Sequence, residues 1–259
     1  MAPAMTSGGG TIAILAALRE ELSPIGRSLE GRSEGPPPAG AVAAGRIAGR
    51  PVALWRTGVG PSAARQAADA VLRFSSPAAI LSVGFAGGLG EGLRLGDLVL
   101  ADEIYEPGAD GAAPRQWPAD PELLAAARGA AGMGRVAVGR IATSRTVLAT
   151  AAEKRAFAGR HGALAVDMES SGVARAANVH DARVLYLRAV VDEAGYDLPL
   201  DTTRFLMPDG RLRPLLLLGS LLRRPAGIRG LAELRNRAVR AGEALARGVA
   251  ALLSALPLT

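Results

Sequence analysis

The sequence contains no cysteine and only two histidines, His161 and His180. Without cysteine there are no disulfides, no thiolate catalysis and no cysteine-ligated metals, and two isolated histidines are too few for most histidine metal sites. Aromatic residues make up 3% of the chain, and every apolar run is far shorter than the roughly 20 residues that span a bilayer. We therefore expect a cytoplasmic protein with no metal and no cofactor, in which residues 1–10 form a disordered leader and both histidines are surface or structural residues.

The net charge of +6 is concentrated near the C-terminus. Residues 204–247 contain ten arginines and three acids, so the rest of the chain is close to neutral. Nucleic acid is not expected as a partner, because this segment lacks the stacking aromatics that accompany a basic single-strand groove. Two interpretations stay open: a packed helix pair with a solvated basic face, or a surface that contacts anionic membrane lipid.

Short β-rich runs alternate with alanine-rich helical stretches, which is typical of an α/β fold. The predicted strands are 11–17, 41–47, 51–57, 78–84, 97–101, 135–142, 163–168 and 183–191. The predicted helices are 18–30, 61–74, 120–131, 150–159, 170–178 and much of 214–254, with Gly/Pro-rich connections at 31–40 and 106–118. We predict one domain over 11–203, with a mainly parallel, mixed central sheet flanked by helices, followed by a basic helical extension over 204–259.

Three acids directly follow predicted strands: Glu21, Glu169 and Asp192. In parallel α/β sheets the ligand binds beyond the carboxyl ends of the strands, so these acids are expected to face one pocket. The alternative for each acid alone is a helix-start residue that the helix dipole favours.

Two glycine-rich turns also follow predicted strands. The turn over 58–63 (GVGPSA) matches a dinucleotide-binding pattern, but the next strand ends without the acid that would hold an adenosine ribose. A nicotinamide or flavin enzyme is therefore a weak alternative. The second turn, over 84–90 (GFAGGLG), would let the backbone approach a ligand closely.

The motifs AILAALREEL, TGVGPSAA, SVGFAGGLGEGLRLGDLVLADE, AVDMESSGVA and LRAVVD occur in this order. Together they resemble the purine nucleoside phosphorylase/nucleosidase superfamily, in particular the methylthioadenosine/S-adenosylhomocysteine nucleosidases. The tail that begins LPLDTTRFLMPDG resembles a narrower branch, the hopanoid-associated phosphorylases, which is linked to release of adenine from adenosylhopane. The resemblance implies a nucleoside phosphorylase-like fold and an enzyme that cleaves the bond between a purine base and C1′ of a ribosyl group.

The resemblance also implies a role for each acid. Asp192 matches the general acid that protonates N7 of the base, which requires a raised pKa. Glu169 matches the carboxylate that binds the ribose hydroxyls, and Met168 the residue that packs under the sugar. Glu21 matches the glutamate that activates water, and Arg188 matches an arginine near that water that could orient Glu21. A fixed carboxylate at Glu21 would repel phosphate, so hydrolysis is favoured and phosphorolysis is the alternative.

Four further residues, Phe85, Ala86, Gly87 and Val147, fall at positions that form the substrate pocket in the family. The nucleosidases have serine at the position of Phe85 and before the catalytic aspartate, where this chain has Val191, and a stacking phenylalanine near Val147. These departures make the pocket more apolar, which suits a large hydrophobic 5′ substituent.

The sequence therefore predicts a purine nucleosidase that acts on a 5′-substituted adenosine, with adenosylhopane as the favoured substrate. Hydrolysis of methylthioadenosine, S-adenosylhomocysteine or futalosine is the enzymatic alternative, and a nucleoside-binding module without turnover is the non-enzymatic one. We also expect the chain to form a homo-oligomer.

Overall fold

The computed structural model describes residues 10–31, 40–108, 112–198 and 225–257. Within these ranges the chain forms nine strands and six helices. The strands are β1 (Ile12–Ala16), β2 (Ala43–Ile47), β3 (Arg50–Arg56), β4 (Ala79–Gly88), β5 (Leu98–Glu106), β6 (Arg115–Pro118), β7 (Val136–Thr143), β8 (Ala165–Asp167) and β9 (Val184–Asp192). The helices are α1 (Arg19–Arg27), α2 (Pro61–Ser75), α3 (Pro121–Arg128), α4 (Ala151–His161), α5 (Ser170–Val179) and α6 (Pro225–Ala255).

The nine strands form one mixed sheet. Strand β1 lies between β3 and β4 and runs parallel to both, and β2 continues the edge antiparallel to β3. Beyond β4 the sheet closes into a ring, because β4 pairs with β9, β9 with β5, β5 with β7, β7 with β8, and β8 again with β4. Since β1, β4 and β9 are parallel, their carboxyl ends lie at the same edge of the sheet.

The helices cover the sheet and complete the core. Every residue of β1 is buried, as expected for a strand that is packed on both faces. Helices α2 and α5 pack closely, and a Cβ added at Gly172 would lie 2.1 Å from the carbonyl oxygen of Pro61. Helix α6 packs against α1 and β9 and buries Leu245 and Val249 completely. The apolar face of α6 is therefore part of the common core.

The predicted fold class is confirmed: the chain is an α/β domain with a mixed sheet flanked by helices and a C-terminal helix. Two local predictions are wrong. Strand β4 continues as far as Gly88, through most of the glycine-rich segment 84–90 that was predicted as a turn. Residues 115–118 of the predicted loop form β6, antiparallel to β5. Most of the predicted leader over 1–10, most of the connection over 31–40 and the part of the predicted helix before residue 225 lie outside the described residues.

In the described part of the chain, no helix combines the length and apolar character that crossing a membrane requires. The division into 11–203 and 204–259 stays a prediction.

Candidate active site

A cavity of about 230 Å³ opens at the carboxyl ends of β1, β4 and β9. Nine residues were predicted for the site, and eight of them line this cavity. These eight are Glu21, Phe85, Ala86, Gly87, Val147, Met168, Glu169 and Asp192. The ninth, Arg188, lines a separate, much smaller cavity of about 10 Å³ that it shares with Glu21 and Glu169. The fold therefore brings the three strand-end acids together, as predicted from their positions in the sequence.

Glu21 lies in the first turn of α1, and both of its carboxylate oxygens accept backbone hydrogen bonds. One carboxylate oxygen accepts a hydrogen bond from the Leu18 N–H at 2.8 Å, and the other accepts one from the Phe85 N–H at 2.8 Å. A Cβ added at Gly84 would lie 2.9 Å from Oε1 of Glu21, so glycine permits this close approach to β4. Burial raises the pKa of Glu21, and the hydrogen bonds from Phe85 and Leu18 and the charge of Arg188 oppose the rise.

Glu169 is the N-cap residue of α5, and its side chain reaches the first glycine-rich turn. Its Oε1 accepts a hydrogen bond from the Gly60 N–H at 2.8 Å, and Gly58 and Gly60 adopt φ values of 80° and 92°. The turn that resembles a dinucleotide-binding pattern thus uses a backbone N–H to hold a carboxylate of the protein itself. Burial, together with the charge of Asp167, raises the pKa of Glu169 to about 8.

Asp192 is the last residue of β9 and is 7% exposed. It forms an ion pair with Lys154 of α4, which is itself 1% exposed. Burial raises the pKa of Asp192, and the charge and hydrogen bond of Lys154 oppose this rise. Lys154 was not predicted from the sequence, although one signal was available: it is the only lysine in the chain, beside 29 arginines.

Arg188 lies beneath the cavity and is 2% exposed. Its guanidinium donates to Asp167 at 2.7 Å, to Ser170 Oγ at 2.7 Å and to the Ser82 carbonyl at 2.9 Å. The guanidinium therefore binds Asp167, and not Glu21 as the sequence suggested. Its influence on Glu21 is through charge, which lowers the pKa of Glu21.

The remaining lining is largely apolar and carries no cation. Across the part of the chain that the structure describes, the charged side chains that line the cavity are four acids, Glu21, Asp167, Glu169 and Asp192. In the same part, no group of three or more His, Cys, Asp or Glu side chains is arranged to hold a metal ion. The cavity thus offers proton donors and hydrogen-bond acceptors, at the position where α/β folds bind ligands.

Comparison with known proteins identifies the family. The sequence model of the phosphorylase superfamily matches residues 11–208, so the chain belongs to this superfamily. A 5′-methylthioadenosine/S-adenosylhomocysteine nucleosidase of Shewanella pealeana is 26% identical over 225 residues, which cover 81% of this chain and 98% of the relative. The enzyme of the same name from Aeromonas salmonicida is 31% identical over 166 residues, 58% of this chain and 72% of the relative. The prediction of an enzyme of the purine nucleosidase and phosphorylase family is confirmed.

Solved structures have the same fold. The nucleosidase of S. pneumoniae with the transition-state inhibitor MT-ImmA has a TM-score of 0.74 at 22% identity, covering 95% of this chain and 100% of that one. The Colwellia psychrerythraea nucleosidase in complex with adenine has a TM-score of 0.74 at 19% identity, covering 98% of this chain and 99% of that one.

Proposed function

We propose that the protein cleaves the N-glycosidic bond of a 5′-substituted adenosine by hydrolysis and releases adenine. One observation carries this proposal: Glu21, Glu169 and Asp192, far apart in sequence, line one cavity at the strand ends. A relative that this chain matches along almost its whole length is a 5′-methylthioadenosine/S-adenosylhomocysteine nucleosidase, which supports the same class of reaction here.

The reaction requires a proton donor at the base and a proton acceptor for the water that attacks C1′. As the bond between N9 and C1′ breaks, positive charge develops on the ribosyl C1′–O4′ unit and negative charge on the base. In our proposal Asp192 donates its proton to N7 of the base, and Glu21 accepts a proton from the water whose oxygen bonds to C1′. Glu169 accepts hydrogen bonds from the ribose hydroxyls.

The spacing of the acids along β4 suits this division of roles. A side chain at Gly84 would meet Glu21, and one at Gly87 would lie 3.4 Å from Oδ2 of Asp192. Two positions three residues apart in a strand are separated by roughly 10 Å. That separation leaves room for a ribosyl group between the carboxyl that receives the proton of water and the carboxyl that protonates the base.

Water is favoured over phosphate as the acceptor because of the charge of the cavity. A phosphorylase must neutralise a phosphate dianion with cationic or N–H groups, whereas the charged lining among the described residues is acidic. Two nearby cations, Arg188 and Lys154, are each already bound to a carboxylate. The N–H groups of Leu18 and Phe85 are likewise occupied by Glu21.

For the substrate, we propose adenosylhopane. The tail that resembles the hopanoid-associated branch supports this choice, and so does an apolar wall that includes Val147, Leu148, Val191 and Leu198. An apolar wall favours a hydrophobic 5′ substituent over a charged one. A nucleoside-binding module without turnover is the alternative from another class of protein.

The test is an adenine-release assay with adenosylhopane, methylthioadenosine, S-adenosylhomocysteine and futalosine, each with and without phosphate. We expect adenosylhopane to have the highest kcat/KM and the product to be free ribosylhopane in both conditions. A ribose 1-phosphate product that forms only with phosphate would make the protein a phosphorylase. A higher kcat/KM for another nucleoside would reassign the substrate, and binding without release of adenine would indicate the non-enzymatic alternative.

We also propose that the basic segment 204–247 contacts anionic membrane lipid. Part of it, residues 204–224, lies outside the described residues, whereas on α6 the side chains of Arg235 and Arg240 are exposed. Each arginine near an anionic surface contributes on the order of 1 kcal/mol at low salt. Because α6 packs its apolar face against the core, the attraction expected from α6 is electrostatic.

Co-sedimentation with vesicles tests this contact. Binding to anionic vesicles should weaken steeply as salt rises, and neutral vesicles should bind much less. Charge reversal at Arg223, Arg224 and Arg229 should abolish binding and leave hydrolysis of a soluble nucleoside unchanged. A wild-type protein that ignores anionic vesicles at low salt would refute the contact. The homo-oligomer stays a prediction, which light scattering after size-exclusion chromatography would measure.

A further inference from the structure

The buried ion pair between Lys154 and Asp192 is the strongest feature that the predicted chemistry leaves unexplained. Lys154 is the only lysine in the chain, and it lies on α4 with 1% of its surface exposed. An unpaired ammonium at such a site would be strongly destabilising, so its partners are expected to be specific.

We propose that Lys154 is a positioning residue for the general acid: its ammonium orients the carboxyl of Asp192 and stabilises the carboxylate that remains once the proton has passed to the base. This inference rests on the proposed function, because it assumes that Asp192 protonates the leaving purine. Lys154 does not line the described cavity, so it would act through Asp192 and not on the substrate.

Each of the three N–H donors of the Lys154 ammonium has an acceptor. Besides its ion pair with Asp192, Nζ donates to the carbonyl oxygen of Glu193 at 2.8 Å and to that of Tyr196 at 2.9 Å. An ammonium has three N–H donors, and here three acceptors converge on it. The planar guanidinium of arginine directs its donors into a fixed fork, which does not match three acceptors around one nitrogen. This geometry explains a lone lysine in a chain that otherwise uses arginine.

The other charged groups near Asp192 largely compensate one another. Glu193, the next residue, forms an ion pair with Arg237 of α6, and the guanidinium of Arg237 also stacks on the Tyr196 ring at 3.9 Å. The Tyr196 hydroxyl donates to Glu233 of α6 at 2.7 Å. From β4, the group that faces Asp192 is Gly87, which carries no charge.

Across the cavity lie the carboxyls of Glu21 and Glu169, and beneath it lies the ion pair of Arg188 with Asp167. None of these side chains is hydrogen-bonded to Asp192 in the described part of the chain. Lys154 is therefore the cation that acts directly on the general acid.

Two opposing influences act on the proton of Asp192. Burial raises its pKa, which favours the protonated carboxyl, and the ammonium lowers the pKa, which helps the proton to leave. Activity requires protonated Asp192, so it should fall as pH rises through the pKa of this group in the enzyme–substrate complex. Removing the ammonium raises that pKa, so the alkaline limb of the kcat profile moves to higher pH. At the same time kcat falls, because the carboxylate product of proton transfer has lost its stabilising charge.

Lys154→Met tests the inference by enzyme kinetics, with Arg155→Met as the matched control. Both variants lose one positive charge from α4, but Arg155 is exposed. We expect Lys154→Met to lower kcat about tenfold or more, to move the alkaline limb upward by about one pH unit, and to leave KM nearly unchanged. Arg155→Met should match the wild type in all three quantities. A lower kcat with an unmoved limb would mean that Lys154 has only a structural role and would overturn the proposal.

A second measurement applies even if Lys154→Met does not fold. Incorporation of ¹³Cε-lysine into a tag-free wild-type protein gives a single lysine NMR signal, because the chain has one lysine. This signal should shift in Asp192→Asn, and in the free wild-type protein it should titrate together with the alkaline limb of the kcat/KM profile, which reports the free enzyme. A chemical shift that is unchanged in Asp192→Asn would refute the contact between Lys154 and Asp192. If Asp192→Asn stays active, the proposed function itself fails; if it is inactive but Lys154→Met behaves as wild type, only this inference fails.

Discussion

Replacing Glu169 by glutamine should stabilise the free protein at neutral pH while it weakens nucleoside binding. The pKa of Glu169 is raised from 4.5 to about 8, first by burial and then by the charge of Asp167. The folded protein therefore binds this proton more tightly than the unfolded chain does. The sign follows directly: the stability that protonation provides is complete below about pH 4.5 and is lost as pH rises from 4.5 to 8.

The magnitude follows from the size of the shift. One pH unit corresponds to about 1.4 kcal/mol. At pH 7 the carboxyl is mostly protonated in the folded protein and ionised in the unfolded chain, so keeping this proton costs the folded protein roughly 3 kcal/mol. Glu169 is only half-buried at the cavity, and solvent screening reduces this cost to roughly 1–2 kcal/mol. Glutamine keeps an oxygen that can accept the Gly60 hydrogen bond but carries no charge. For a chain of this size the expected gain corresponds to roughly 4 °C in Tm.

Denaturant unfolding followed by circular dichroism at pH 5 and pH 8 measures the effect, without substrate. Glu169→Gln should be more stable than the wild type at pH 8, and the difference should be several-fold smaller at pH 5, close to the pKa of the unfolded chain. Glu20→Gln removes an exposed carboxyl that precedes Glu21 in the sequence and should show no such pH dependence. A Glu169→Gln variant that is less stable than the wild type at pH 8 would show that the folded protein does not disfavour the ionised carboxyl, and would refute the raised pKa of Glu169.

Three further substitutions test the acids and the cation beneath them. Asp192→Asn should fold normally and lose about 10²–10⁴-fold in kcat, because an amide cannot donate the proton to N7; more than a third of wild-type kcat would remove Asp192 from this role. Glu21→Gln should be nearly inactive in the adenine-release assay whether or not phosphate is present, with Glu20→Gln as the active control; equal activity of the two variants would exclude Glu21 as the base. Arg188→Met should lower the free energy of unfolding by about 3–5 kcal/mol, since it leaves Asp167 buried without its partner; an unfolding midpoint equal to that of the wild type would contradict this.

The strands and helices were largely predictable because burial and hydrophobic patterning agree over most of the chain. The glycine-rich segment of β4 was not, because glycine clusters are typical of turns. In the structure β4 stays extended there, since it pairs with β8 on one side and β9 on the other. The glycine at 84 makes room for the carboxyl of Glu21, a requirement that depends on a residue far away in sequence.

Those residues of the candidate site that lie at strand ends were predictable from the sequence, because the predicted strands locate them. Glu21, Glu169 and Asp192 follow strands, and the parallel arrangement of those strands brings them together. Lys154 could not be found in this way, because it lies inside a helix, and periodicity alone does not reveal which face of α4 meets the loop after β9. The partner of Arg188 was likewise hidden, since Asp167 looked like part of an apolar strand.

The placement of charge favours hydrolysis over phosphorolysis on physical grounds that are independent of sequence resemblance. Acids line the described cavity, whereas Lys154 and Arg188 lie behind its wall, each bound to a carboxylate. From there the cations can regulate the acids, but they cannot also coordinate a phosphate dianion without giving up their present partners. A breakdown of either buried pair would leave an uncompensated charge in the core, at a cost of several kcal/mol. Water requires no such exchange: it needs one carboxylate that accepts a proton. We assign that role to Glu21, whose carboxylate accepts hydrogen bonds from two backbone N–H groups.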